Sequence, residues 1–334
     1  MYRFKNLIMT SVCATAASLV AAGAFAADKV TMQMNWTADS AHLGFAVAQA
    51  EGIYAAHDLE VTLVEGRGSS VAAQLVATGQ VELGYADTGA ALKVASQGAP
   101  IKIVSTIWKS GQFGIQFLAD SGIKEPKDLV GKKLAVSPGS AMMPLIPVFL
   151  KANGIAEGDV ELVTASESAF LGLLTSHQVD AVSQTPENIV VPLAAQGIEA
   201  GNMYFYDNGV PIASLSLIAR EDKLAANGDV YKRFIQATAE GWKQAMADPD
   251  KAIDDLLQIF PETENSKESL KQAAVYSFAS VCPGGAGDTI GVTAPETWDE
   301  MFSVMTTAMD LSSDKPVTTY YTNDFVPAEP VTCP

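Results

Sequence analysis

From Lys29 to Trp108 the chain repeats one pattern: a short run rich in aliphatic and β-branched residues, an amphipathic run at helical spacing, then a glycine or polar turn. "KVTMQM" reads as a strand and "AHLGFAVAQAEGIY" as a helix ending near Gly52. "LEVTLVE" is a strand, "SSVAAQLVATG" a helix closed by Gly79, and "VELGYAD" a strand. "TGAALKVASQG" is a helix closed by Gly98, and "IKIVSTIW" a further strand. Strands separated by helices join through crossovers rather than tight hairpins, so this order predicts an α/β fold with a parallel sheet and helices on its faces. Ligands in such folds meet the carboxyl ends of the strands, where loops enter the next helices.

A second unit of the same kind follows: "FGIQFLA", "KKLAVS", "AMMPLIPVFLKANG", "VELVTA", "SAFLGLLTSHQ", "VDAVSQ" and "ENIVVPLAAQG". "GVPIASLSLIARED", 209–222, reads as a return strand leading into a mostly helical stretch, 229–310. The expected organisation is one lobe made of 27–112 and 213–320, an inserted lobe at 113–212, and a C-terminal tail at 321–334. A chain that crosses out and returns leaves a cleft between its lobes, the usual place for a small ligand.

Residues 1–26 stand apart from this pattern. Arg3 and Lys5 precede a weakly apolar, small-residue run that ends in Ala24-Phe25-Ala26, the form of an export signal cleaved after Ala26. No lipid-attachment cysteine follows the cut, so a free protein is expected, located in the periplasm. Loss of Arg3 and Lys5 would take the net charge from −17 to about −19, which argues against nucleic acid or an anionic membrane as partner. Cys282 and Cys333 then remain as an even pair bound for an oxidising compartment. A metal or redox pair would need closer spacing or histidine company, so a structural disulfide between the tail and the 282–287 loop is expected. With His42, His57 and His177 scattered, no metal site is expected.

Taken in order, "MNWTADSAHLGFAVAQAEGIYAAHDLEV", "GRGSSVAAQLVATGQVELGYAD", "KEPKDLVGKKLAVSPGS" and "PDKAIDDLL" resemble the periplasmic solute-binding proteins of ABC importers. The likeness is to the branch holding taurine, aliphatic-sulfonate, nitrate and thiamine-pyrimidine-precursor binders, and it spans nearly all of the exported chain. It implies a type II periplasmic-binding fold, two α/β lobes closing on a solute, with an ABC permease and ATPase as partners, no cofactor and a monomeric state. The same branch includes an enzyme, the fungal thiamine-pyrimidine synthase, which uses a lysine for pyridoxal phosphate and consumes its own histidine. The matching positions here are Ala86 and Ala90, and 208–217 holds no cysteine. Without an amine there is no Schiff base, so a binder rather than an enzyme is expected.

Several residues are candidates for ligand contact. Trp36 ends the first strand before the polar run Thr37-Ala38-Asp39-Ser40 and suits stacking on a planar ligand, the use that pyrimidine binders of this branch make of aromatics. In the turn Gly66 to Ser70, Arg67, Gly68, Ser69 and Ser70 bring free amides and hydroxyls to a helix start. Ser137, Gly139 and Ser140 repeat that device in the second lobe, which would aim one helix N-terminus from each lobe at one cleft. No further glycine or Gly-Lys-Ser/Thr follows, which sets a nucleotide loop aside. Asp87 and Thr88 close the third strand, and Asp87 either caps the next helix or, with Glu187, accepts hydrogen bonds from an amine or aminopyrimidine. Gln184 offers a neutral partner beside Glu187, Trp108 is a second aromatic, and His42 in the first helix either reaches the cleft or is structural. The acids and Trp36 favour a planar nitrogen heterocycle, while the two serine-glycine turns favour a sulfonate or carboxylate. The heterocycle is slightly preferred. A module that reports its ligand to a sensor kinase would carry the same sequence features.

Overall fold

The structure is a computed structural model that describes residues 26–138, 140, 142–308, 311 and 314–334. The expected export signal lies outside the described residues except for Ala26, and Gly139 also lies outside them. Described elements of the first unit are β1 (Asp28–Gln33), α1 (Leu43–Ala50), α2 (Ile53–Ala56), β2 (Leu59–Val64), α3 (Ser69–Ala77), β3 (Leu83–Asp87), α4 (Thr88–Ser96) and β4 (Ile101–Thr106). The second unit contains β5 (Gly114–Leu118), β6 (Lys133–Val136), α5 (Ile146–Ala152), β7 (Glu161–Thr164), α6 (Phe170–Thr175), β8 (Ala181–Gln184), α7 (Pro186–Ala195) and β9 (Ala200–Tyr204). Then come β10 (Leu215–Arg220), α8 (Glu221–Ala247), α9 (Pro249–Ile259), α10 (Lys267–Val281) and α11 (Pro295–Ala308).

These strands form two five-stranded sheets, ordered β2-β1-β3-β10-β4 and β7-β6-β8-β5-β9, and each sheet is the centre of one α/β lobe. The parallel expectation holds for β1, β2 and β3 but not for the whole sheet. Strand β10 lies between β3 and β4, antiparallel to both. A chain returning from the other lobe enters at the carboxyl ends of β3 and β4, so its strand runs the opposite way. Strand β5, the first to enter the second lobe, is likewise antiparallel to β8 and β9.

Two further differences from the pattern have local causes. Strand β9, "AGNMY", escapes the hydrophobic reading because Gly201 and Asn202 are poor strand formers and its edge position leaves it mostly half-buried. It is a strand because its backbone pairs with β5. The run "AMMPLIPVFLKANG" opens as a 3-10 turn, Met143–Leu145, and becomes α-helical only at Ile146. Pro144 and Pro147 lack amide hydrogens, which restricts them to first-turn positions.

Both faces of each sheet are covered. On the first sheet, Met32, Leu83, Tyr85 and Leu217 face α1 and α8, while Ala86, Ile103 and Ile218 face α3, α4 and α11. Helix α1 is almost wholly apolar and sits between this sheet and α8 and α9, with Phe45 meeting Tyr85 and Trp242 edge-on. Burying an aromatic side chain of this kind contributes about 2–3 kcal/mol. Helix α11 belongs to both lobes, since Trp298, Met301 and Met305 join the first core while Val304 and Ala308 touch the second.

The lobes are joined by two chain segments that hydrogen-bond to each other. Trp108 N donates to Leu215 O, Ser214 N to Trp108 O, Gly111 N to Ile212 O and Phe205 N to Phe113 O. A third support comes from the C-terminal region. Ser110 N donates to Ser280 O at the end of α10, and Lys109 Nζ pairs with Asp288 at 2.5 Å. Cys282, which caps α10, is disulfide-bonded to Cys333, and this closes the loop carrying Asp288 onto the tail.

Candidate ligand-binding site

A cavity of about 660 Å³ opens between the lobes, at the carboxyl ends of β1 and β3 on one side and of β8 on the other. Its first wall is built from the turn after β1. Gly66 N donates to Trp36 O and Gly68 N to Asn35 O, so the Gly66-to-Ser70 turn grips the end of β1 along its backbone. A Cβ on Gly66 would lie 1.9 Å from Met34 O, so the close approach requires glycine there, whereas Gly68 is favoured by its φ of +131°. The grip holds Asn35, Trp36 and Asp39 at the cavity, with Trp36 53 % exposed.

His42 fixes two of these residues from behind. It is fully buried, its Nε2 donates to Asn35 Oδ1 at 3.0 Å, and its Nδ1 sits between the Asp39 backbone N–H at 3.2 Å and Asp39 Oδ1 at 2.9 Å. It does not line the cavity; it positions residues that do. Ser69 Oγ accepts from Asp87 N at 2.9 Å and ties the starts of α3 and α4 together, both at the cavity. Asp87 caps α4 through Oδ1, which accepts from Gly89 N and Ala90 N. The two roles weighed for Asp87 thus coexist: Oδ1 serves the helix, while the residue also lines the cavity. Burial pushes its carboxyl up to about 6 against the pull of those two amides.

The opposite wall comes from α7, with Thr185, Glu187, Asn188 and Val191 at the cavity. Glu187 stands in the first turn of α7, where the helix dipole favours its charge, yet burial prevails and raises its pKa to about 7. Its own backbone amide and the Thr185 hydroxyl pull the value down, and the charge of Asp39 from the first lobe pushes it up. The floor is the hinge, with Trp108, Gln112 and Phe113, and Ser214 and Leu215 from the returning segment. A third wall is the start of α10, with Asn265, Ser269, Leu270 and Ala273. Asn265 and Thr263 both donate to Ala38 O and fasten this wall to the first.

The cavity thus gathers five of the candidate residues: Trp36, Ser69, Asp87, Trp108 and Glu187. The other described candidates are not among its lining residues. Arg67 and Ser70 are exposed on the outer side of the turn, and Gly68 serves the backbone. Thr88 is buried and bonds to Ser214 O and Ser216 Oγ, stitching β3 to β10. Gln184 donates to Glu167 and accepts from Thr185 N, so its amide is spent within the second lobe. The Ser137-to-Ser140 turn follows β6, which is separated from β5 by β8, and Ser140 Oγ accepts from Met143 N. Among the described residues, the second lobe presents α7 to the cavity. Asn35, Asp39, Gln112, Phe113, Asn188 and the α10 wall complete the lining. Among the described residues no lysine, arginine or histidine lines it, and no cluster of three metal-ligating side chains was found.

Two α/β lobes on a double-segment hinge, with a polar cavity at the strand ends between them, define the periplasmic-binding fold. The chain belongs to the NMT1/THI5-like family, whose model matches residues 39–252. It is 26 % identical to the riboflavin-binding protein RibY of Chloroflexus aurantiacus over 90 % of this chain and 86 % of that one. It is also 26 % identical to a formylaminopyrimidine-binding protein of Halalkalibacterium halodurans, over 83 % and 84 % of the two chains. A 4-amino-5-hydroxymethyl-2-methylpyrimidine phosphate synthase of Aspergillus parasiticus matches at 23 % over 70 % and 71 %. The fold is that of the periplasmic aliphatic sulphonate binding protein SsuA of Escherichia coli, with a TM-score of 0.66, 14 % identity, and coverage of 86 % and 94 %.

Proposed function

We propose that the protein is the periplasmic solute-binding component of an ABC importer and captures a planar nitrogen heterocycle. The observation that carries this reading is the charge of the cavity: Asp39, Asp87 and Glu187 line it, and no described basic side chain does. A sulfonate or carboxylate entering there would meet carboxylates and no cation to compensate its desolvation. Of the helix starts at the cavity, that of α4 is capped by Asp87 and that of α7 carries Glu187 in its first turn, which leaves only that of α3 without an acid. A ring bearing N–H groups, or carrying a positive charge, meets acceptors on both lobes and stacks on Trp36. Bridging both lobes in this way favours the closed arrangement, the step that would commit the solute to delivery. Relatives named for riboflavin and formylaminopyrimidine, both nitrogen heterocycles, agree with it.

The rival reading, catalysis of pyrimidine formation, needs an amine nucleophile for pyridoxal phosphate. Ala86 is buried in β3 and Ala90 lies in the first turn of α4. A thermal-shift screen of the exported, monomeric protein against 4-aminopyrimidines, flavins, taurine and aromatic acids tests the proposal. Stabilisation by the heterocycles alone is expected. Stabilisation by taurine or the aromatic acids alone would overturn it, and a pyridoxal-lysine absorbance band in protein mixed with pyridoxal phosphate would restore the enzymatic reading.

A further inference from the structure

Among the described residues, three polar atoms on the cavity wall are buried without a well-aligned hydrogen-bond partner: Trp108 Nε1, Gln112 Nε2 and Glu187 Oε2. Leaving such atoms unpaired costs about 1–3 kcal/mol each, which a ligand recovers if it supplies the complementary atoms. Trp108 is 6 % exposed and Gln112 4 %, so both are largely shielded from bulk solvent. Both sit on the hinge segment, whose backbone is held by the bonds of Trp108 N to Leu215 O and of Gly111 N to Ile212 O, so the crossing of the chains anchors their backbone at the cavity floor. Gln112 stands close enough to Glu187 to favour its charge, although the two make no well-aligned hydrogen bond, and this places a donor and an acceptor side by side.

Resting on the heterocycle reading above, we propose that the hinge determines specificity. Trp108 Nε1–H and the Gln112 amide donate to two acceptor atoms of the bound ring, and Glu187 takes an N–H next to one of them. The substrate class is then a diazine or fused diazine with a ring nitrogen or carbonyl beside an N–H or amino group, plus a second acceptor. An indole donor offers no acceptor capacity, so a ring with N–H groups at every edge position is excluded at Trp108. The arrangement also assigns distinct parts to the walls: Trp36 stacks on any planar ring, whereas the hinge and α7 read its edge.

Isothermal titration with two probes tests this assignment. 4-Amino-2-methylpyrimidine carries acceptors and an amino group, and 2,4-dimethylpyrimidine keeps the ring acceptors without the N–H. Wild type is expected to bind the amino probe at least tenfold more tightly. Trp108→Phe and Gln112→Met are expected to weaken both probes in parallel, about tenfold each. Glu187→Met is expected to abolish the preference for the amino probe while the dimethyl probe binds as before. Circular dichroism and the melting temperature establish that each variant folds, and if Trp108→Phe does not, Gln112→Met carries the test of the hinge donors. Folded hinge variants that bind both probes like wild type overturn the assignment and leave the heterocycle reading standing. A wild-type protein that binds taurine and neither pyrimidine overturns both.

Discussion

Asp39 and Glu187 reach one cavity from different lobes, and the charge of Asp39 raises the pKa of Glu187 across it. Burial is the larger cause, and together they bring Glu187 from its ordinary 4.5 to about 7. A carboxyl with a raised folded pKa holds its proton in the native state while the unfolded chain has released it. Its contribution to stability is therefore intact below about pH 4.5 and is lost as pH rises through 7. At pH 8 the cost is on the order of 3 kcal/mol. Glu187→Gln is accordingly expected to melt like wild type at pH 4.5 and above it at pH 8. Differential scanning calorimetry across that range decides; an offset independent of pH would sink the argument. Asp87, raised to about 6, adds a loss of the same sign at slightly lower pH.

Trp36 is half-exposed at the cavity mouth and contributes little to the core, so its removal separates binding from stability. Trp36→Ala is expected to leave the melting temperature within about 2 °C of wild type and to weaken a planar ligand roughly tenfold or more. Scanning calorimetry and titration calorimetry on the same preparation measure the two. Unchanged affinity would remove stacking from the mechanism.

The lobes and most helices were legible because their signal is local: apolar period, turn glycines and the long-range repetition of strand and helix. Asp87 and Ser69 were legible for the same reason, as one ends a strand and the other starts a helix, whereas Trp36 lies in the turn beyond β1 rather than at its end. The α10 wall was not, because Ser269, Leu270 and Ala273 come from a helical stretch whose own pattern says only that it packs somewhere. Gln112 was invisible for a related reason. Its place at the cavity comes from the hinge crossing, where the neighbouring Gly111 bonds to Ile212, a contact that no local period encodes.

His42 supplies a test of positioning without contact. Its ring bonds to Asn35 and Asp39, both at the cavity, and touches no part of the cavity itself. His42→Phe keeps the aromatic volume but strands the Asn35 oxygen and the Asp39 amide. The expected result is a loss of about 1–3 kcal/mol in stability and a weaker affinity, although no ligand atom meets residue 42. Chemical denaturation and titration measure the two effects; a variant with wild-type affinity would show that Asn35 and Asp39 hold their places unaided.

The Cys282–Cys333 bond closes 51 residues of sequence and anchors the end of α10, the helix whose beginning walls the cavity. Cross-linking a loop of that length stabilises by about 4 kcal/mol in the chain-entropy relation. Reduction, or Cys282→Ser with Cys333→Ser, is expected to lower the melting temperature by roughly 10 °C. Ligand affinity should fall far less, because Ser277 Oγ still bonds to Ser40 Oγ and Asn265 still holds Ala38. Those bonds lie between α10 and the first wall and do not pass through the tail. Melting curves with and without reductant, repeated at saturating ligand, distinguish the two effects. An equal loss in both would mean that the tail supports the cavity directly, whereas an unchanged melting temperature would mean that the ion pair of Lys109 with Asp288 already holds the loop without the bond.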